Sequence, residues 1–81
     1  MTGLQKVRIK NNLTQADLAK RAQMNLRSLQ YYEQGRKDLA HVRLDKLLRL
    51  CIILNCNISE IVEDPQCKFL YAQYENKKRV D

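Results

Sequence analysis

Apolar residues along this chain recur at steps of three and four, and no β-branched alternation between turn signals marks a strand. Residues able to cap a helix stand ahead of most of these clusters. Thr2 with Gln5 forms a capping pattern around Leu4, Val7 and Ile9, which predicts a first helix over roughly 3–11 that ends at Asn11-Asn12. Thr14 with Asp17 opens a second, TQADLAKRA, with Leu18, Ala19 and Ala22 inward. Ala19 is small enough to let another helix cross closely. The three-residue break Gln23-Met24-Asn25 follows. Asn25 opens a third helix over 25–34, and Gly35 closes it in the left-handed conformation that glycine adopts cheaply.

The loop GRKDLAHV leads to a fourth helix near 43–55, whose start signal is weak. Its apolar residues exceed one stripe. Leu48, Ile52 and Ile53 point away from the Leu47–Leu50–Leu54 side, so this helix is expected to be covered on two sides. Asn57 with Glu60 caps a short fifth helix, NISEIVED, with Ile58, Ile61 and Val62 inward. Asp64 as cap and Pro65 in the first turn start a sixth, in which Cys67, Leu70, Tyr71 and Tyr74 repeat at i, i+3, i+4 and i+7. The run KKRV at 77–80 reads as a frayed tail. The expectation is an all-α chain.

The third helix poses the functional question. Its inward set is thin, Leu29 and Tyr32 with Leu26, while Arg27, Gln30, Tyr31 and Gln34 share the opposite face. A helix this short is not stable alone. Neighbours must therefore hold that polar face outward.

Charge narrows the answer. The net charge of +6 lies entirely in residues 1–43, where nine bases face three acids; residues 44–81 hold six of each. A basic half and a neutral half suggest a polyanion-binding face and a structural or pairing face. At 81 residues one domain is expected. No apolar run reaches membrane-spanning length and the start has no signal-peptide core, so the cytoplasm is the expected compartment. The three cysteines, Cys51, Cys56 and Cys67, are odd in number and match no common zinc spacing, and His41 is the one histidine. No metal and no cofactor is expected. The sequence offers no paired-carboxylate, Ser/His/Asp or glycine-rich phosphate pattern, so an enzyme is not expected either.

Two short helices joined by a three-residue break, the second with a polar outward face, form a helix-turn-helix pattern. The segment LTQADLAKRAQMNLRSLQYYEQG goes further. It resembles the Cro/phage-repressor type of helix-turn-helix regulator, also called the xenobiotic-response-element family, through Leu13, Thr14, Gln15, Asp17, Leu18, Ala19, Met24, Leu29, Tyr32, Glu33 and Gly35. LNCNISEIV at 54–62 is similar to that family's closing stretch. One position departs: Gln23 stands where the family usually has glycine. The resemblance implies a compact five-helix, lambda-repressor-like DNA-binding domain over 1–63, with a helical extension and tail over 64–81.

It also implies roles. Asn25, Leu26, Arg27 and Tyr31 match positions that reach base edges in the major groove, and Gln30 matches a more variable outward position. Gln15 matches a glutamine that meets phosphate and supports the recognition helix. Lys10, Asn11 and Thr14 before it, and Arg36 and Lys37 after Gly35, are further phosphate candidates, which position a protein without reading sequence. Arg8 and Glu33 match a structural pair bridging the first and third helices. The implied partner is double-stranded DNA with a palindromic operator, read by a homodimer that acts as a transcriptional repressor. Dimer candidates are Leu48, Ile52, Leu70, Tyr71 and Tyr74. The C-terminal stretch can instead pack back on the fourth helix, or bind a different protein, as in an antitoxin.

Overall fold

The computed structural model describes residues 1–79, the last two by their backbone alone. All regular elements among them are helical. They are α1 (Gly3–Lys10), α2 (Gln15–Arg21), α3 (Leu26–Glu33), α4 (Leu44–Leu54), α5 (Ile58–Ile61) and α6 (Pro65–Arg79), with a 3-10 turn at Leu39–His41. The tail expected over 77–80 is helical as far as Arg79; Val80 lies outside the described residues.

The predicted caps are made. Thr2 accepts from the Gln5 N–H, Thr14 from that of Asp17, and Asn25 from those of Arg27 and Ser28. Asn57 and Glu60 close a reciprocal capping box on α5, and the Asp64 carboxylate accepts from the Cys67 N–H at the start of α6. The first four helices end in one shared way. After α3, Gly35 has a φ of +77°; its N–H donates to the Tyr32 carbonyl and the Arg36 N–H to that of Tyr31. The same crossed pair of bonds closes α1 around Asn12 (φ +59°), α2 around Gln23 (φ +55°) and α4 around Asn55 (φ +50°). This is the Schellman ending, and here only one of four carries glycine. It turns the chain sharply enough for helices of seven to eleven residues to fold back on each other.

The largest fully buried side chains are Leu4, Leu18, Leu29, Leu50, Leu54 and Ile61, so each of α1 to α5 contributes at least one. Ala19 and Ala22 of α2 are buried with them, and Leu39 anchors the loop between α3 and α4. Among the described side chains of α6, Cys67 packs against this core, half-buried. Phe69, Leu70 and Tyr74 remain exposed.

Two expectations are corrected here. Ile9 is exposed, because the inner line of α1 runs through Leu4 and Val7. The fourth helix is covered on one side within this chain: Leu44, Leu48 and Ile52 are 64, 43 and 79 % exposed, while Ile53 turns back onto the core rim. The sixth helix does not cover Leu48 and Ile52. Its Tyr71 is half-buried, with the phenol beside Glu75.

Candidate nucleic-acid interface

Helix α3 is held from inside by a buried ion pair. Glu33, 4 % exposed, lies at the end of α3 on its inner side. Arg8 of α1 donates to it through Nε (2.6 Å) and Nη2 (3.1 Å), and through Nη1 to the Leu13 carbonyl (2.8 Å). Gln15, the first residue of α2, donates through Nε2 to Glu33 Oε1 (3.0 Å). Thr2 donates its hydroxyl to the Glu33 backbone carbonyl (3.0 Å). The carboxylate thus ties α1, α2 and α3 together. Leu29 fills the core beside it and Tyr32 packs on the core rim.

The opposite face of α3 is open. Arg27 and Leu26 are exposed, and Gln30 and Tyr31 are half-buried. Tyr31 is less free than its place on the helix wheel suggests. The Arg36 guanidinium stands 5.8 Å from its ring centroid and the Lys37 ammonium 5.6 Å. The backbone N–H groups of both residues donate to the Tyr31 carbonyl (2.9 and 3.3 Å). The turn after Gly35 therefore folds two cations onto the aromatic ring. Such contacts contribute about 0.5–1 kcal/mol each at exposed sites. A phenol flanked by two cations is well suited to a phosphate oxygen.

Several sequence-predicted positions come together here: Asn25, Leu26, Arg27, Gln30 and Tyr31 on α3, Arg36 and Lys37 after it, and Thr14 and Gln15 at the start of α2. The Thr14 side-chain oxygen accepts the Asp17 cap bond, which leaves the hydroxyl proton free to donate. Two phosphate candidates are placed elsewhere. Asn11 donates its amide to the carbonyls of Val7 (2.8 Å) and Leu54 (3.1 Å), so it joins α1 to the end of α4 and keeps no amide proton for a phosphate. Lys10 lies about 200° around α1 from Arg8. It borders a shallow pocket with Leu54, Asn55, Cys56 and Glu60.

Sequence reasoning named Gln15 and Gln30 but missed the bond between them, and it missed Gly3. Gln30 donates through Nε2 to Gln15 Oε1 (3.3 Å), a link no spacing reveals because it depends on the angle between α2 and α3. Gly3 lets the start of α1 approach α5: a methyl group there would collide with the Glu60 backbone carbonyl.

The cysteines are free and half-buried. Burial, then the neighbouring Cys51, pushes the Cys56 thiol up to about 12. Among the described residues no group of three or more His, Cys, Asp or Glu is gathered to hold a metal, and no helix is long and apolar enough to cross a membrane.

A family model described as the Cro/C1-type HTH DNA-binding domain matches residues 3–66. No curated protein and no solved structure matched the chain.

Proposed function

The chain belongs to the Cro/C1-type helix-turn-helix DNA-binding family, and on that premise we propose that it is a sequence-specific regulator of transcription that seats α3 in the major groove. The observation that carries this reading is the face itself. Arg27, Gln30 and Tyr31 stand outward on a helix fixed from behind by the Arg8–Glu33 pair, with Arg36 and Lys37 beside it. Arg27 supplies the fork that fits guanine O6 and N7. Tyr31, Arg36, Lys37, Gln15 and Thr14 grip phosphates on either side. Asn25 and Leu26 meet bases near the start of α3. A DNA-reading role places the protein in the cytoplasm with the chromosome, and it asks for binding rather than catalysis.

Residues 1–63 serve in this reading as the DNA-binding unit and 64–81 as an extension. The protein acts as a homodimer on a palindromic operator, with the exposed Leu48, Ile52, Leu70 and Tyr74 and the flanking Tyr71 as its pairing surface. A dimer seated on promoter DNA excludes polymerase, so repression is its simplest output. The test is selection of binding sites from random duplex DNA, with wild type and an Arg27→Ala/Tyr31→Ala double variant in parallel. A palindromic motif that is lost or altered in the variant supports the reading. Enrichment of nothing, with only weak salt-sensitive binding, rejects it.

The exposed Phe69, Leu70 and Tyr74 favour a second reading, in which α6 binds a different protein as an antitoxin does. Truncation after residue 66 separates the two. Loss of partner capture with monomer–DNA contacts intact supports the second reading. Unchanged partner binding and dimerisation reject it.

A further inference from the structure

We propose that Cys51 and Cys56 form a reversible intrachain disulfide, a modification site that spans the end of α4 and stands apart from the reading of α3 as the groove-entering helix. The geometry comes from the way α4 ends. The Cys56 N–H donates to the Cys51 carbonyl (3.1 Å) and the Asn55 N–H to that of Ile52 (3.3 Å), with Asn55 at φ +50°. In a Schellman ending the two residues joined by the outer bond bring their side chains together. Helix α3 shows the same thing: there the outer bond joins Arg36 to Tyr31, and the guanidinium stands 5.8 Å from the ring centroid. At the end of α4 both of those positions are cysteine.

The two thiols are free, half-buried and hydrogen-bonded to each other. Cys67 does not compete, because its thiol bonds to Asp64 at the start of α6. Cys56 borders a shallow pocket with Lys10, Asn11, Asn55 and Glu60, which opens the pair to a small reagent. Burial holds both thiols protonated at neutral pH, and the Glu60 carboxylate adds to it. A protonated thiol is a weak nucleophile, so the pair rests as a dithiol until an oxidant is supplied.

That oxidant is a low-molecular-weight disulfide, of which glutathione disulfide is the probe. One cysteine gives its proton to solvent and its sulfur attacks the small disulfide. The small S–S bond breaks, a mixed disulfide forms and one small thiolate leaves. The second cysteine, deprotonated in turn, attacks the protein sulfur of the mixed disulfide. The Cys51–Cys56 bond forms, and the second small thiolate leaves. Each departing thiolate takes up a proton. The cysteine pair is oxidised by two electrons and the small disulfide is reduced to two thiols. The new bond ties the last turn of α4 to the chain that enters α5, beside the Leu54 carbonyl that receives the Asn11 amide (3.1 Å). No residue of α3 takes part.

The test equilibrates wild type, Cys56→Ser and Cys67→Ser in glutathione redox buffers, folded and in urea. Free thiols are trapped by alkylation and the crosslinked peptides are mapped by mass. Folded wild type and Cys67→Ser should yield the Cys51–Cys56 crosslink, which excess dithiol reverses, and Cys56→Ser should yield none. The folded chain should favour that crosslink at least about tenfold over the unfolded chain, a midpoint about 30 mV more negative. Equal midpoints in the folded and unfolded chains would mean that the fold does not bring the thiols together, and would overturn the proposal. So would a crosslink that joins Cys67 to either cysteine, or a folded wild type in which Cys51 and Cys56 stay free or carry glutathione.

Discussion

Arg8 grips both oxygens of Glu33, one from Nε at 2.6 Å and one from Nη2 at 3.1 Å, across the boundary between α1 and α3. The geometry is the parallel fork that guanidinium and carboxylate favour. The Arg8 side chain is 12 % exposed, so the pair is largely shielded from salt. Its consequence is positional. Helix α3 has eight residues and cannot hold itself, and its outward side chains can read DNA only if its roll about its own axis is fixed.

Removing one partner should therefore cost more than a surface ion pair would. Arg8→Met leaves a buried carboxylate with Gln15 as its remaining side-chain donor. A loss of about 3–5 kcal/mol is expected, against about 0–1 kcal/mol for breaking the exposed Arg43–Asp45 pair. Urea denaturation of Arg8→Met and Arg43→Met measures both. Equal effects would show that the pair does not organise the core.

Gly3 and Gly35 should fail for different reasons when changed to alanine. At Gly35 nothing lies within 4 Å of the added methyl, and the strain is that of φ +77°, about 1–2 kcal/mol. At Gly3 the methyl meets the Glu60 backbone carbonyl, which cannot rotate away as a side chain can. Gly3→Ala should therefore push α1 off α5 and be the more destabilising of the two, although alanine is the better helix former. Chemical denaturation ranks them, and Gly3→Ala matching or exceeding wild-type stability would contradict the close approach.

The glutamine in the turn is a site of stored strain. Gln23 adopts φ +55°, where a side chain costs about 1–2 kcal/mol that glycine avoids. Glycine loses more chain entropy on folding, which returns about 0.5–1 kcal/mol. Gln23→Gly should thus raise stability by up to about 1.5 kcal/mol, read as a higher melting temperature with DNA affinity unchanged. A lower melting temperature would mean that the Gln23 side chain makes a compensating contact.

Helix existence and order were legible because each signal is local. Thr2, Thr14, Asn25, Asn57 and Asp64 announce helix starts within three residues of themselves, and the core leucines follow at helical spacing. The α2–α3 pair with its outward Arg27 was legible for the same reason. What was hidden depends on the angle between elements. The Gln15–Gln30 bond, the Asn11 bond to Leu54 and the approach of Gly3 to Glu60 join residues 15 to 57 positions apart. The excess of apolar positions on α4 was legible, but the cover expected on both its sides is made on one within this chain, with Leu48 and Ile52 exposed and Ile53 on the core rim. A chain counts its apolar positions without naming the surface that meets them.

Acid should weaken one contact at the N-terminus of α1. The Gly3 N–H donates to the Glu63 carboxylate and, with Lys68 beside it, holds that group below its ordinary value of 4.5. A folded-state value lower than the unfolded one adds stability above the unfolded value, which is lost as pH falls through the folded one. The side chain is 50 % exposed, so water screens much of the effect. Glu63→Gln should be less stable than wild type at pH 7, with the gap closing below pH 4. A gap that persists at pH 2 would assign the effect to the shape of the side chain rather than its charge.

The stripe Leu44–Leu48–Ile52 is the strongest argument for a second copy of this chain. Single exposed leucines are ordinary, but three at i, i+4 and i+8 form a continuous apolar ridge about 12 Å long on one helix. It lies in the neutral half of the sequence, outside the α2–α3 segment. A dimer also matches the geometry of half-sites one helical turn apart, about 34 Å. Ile52→Glu places a charge in the centre of such an interface and changes nothing in the core, since Ile52 is 79 % exposed. Sedimentation should show the variant as a folded monomer where wild type is a dimer. Its affinity for a single half-site should persist, and its added affinity for the full palindrome should be lost. Ile52→Glu that remains dimeric, while truncation after residue 66 gives monomers, would move the interface to the exposed side of α6. A wild type that is monomeric both free and on the full palindrome would remove the homodimer from the proposed function.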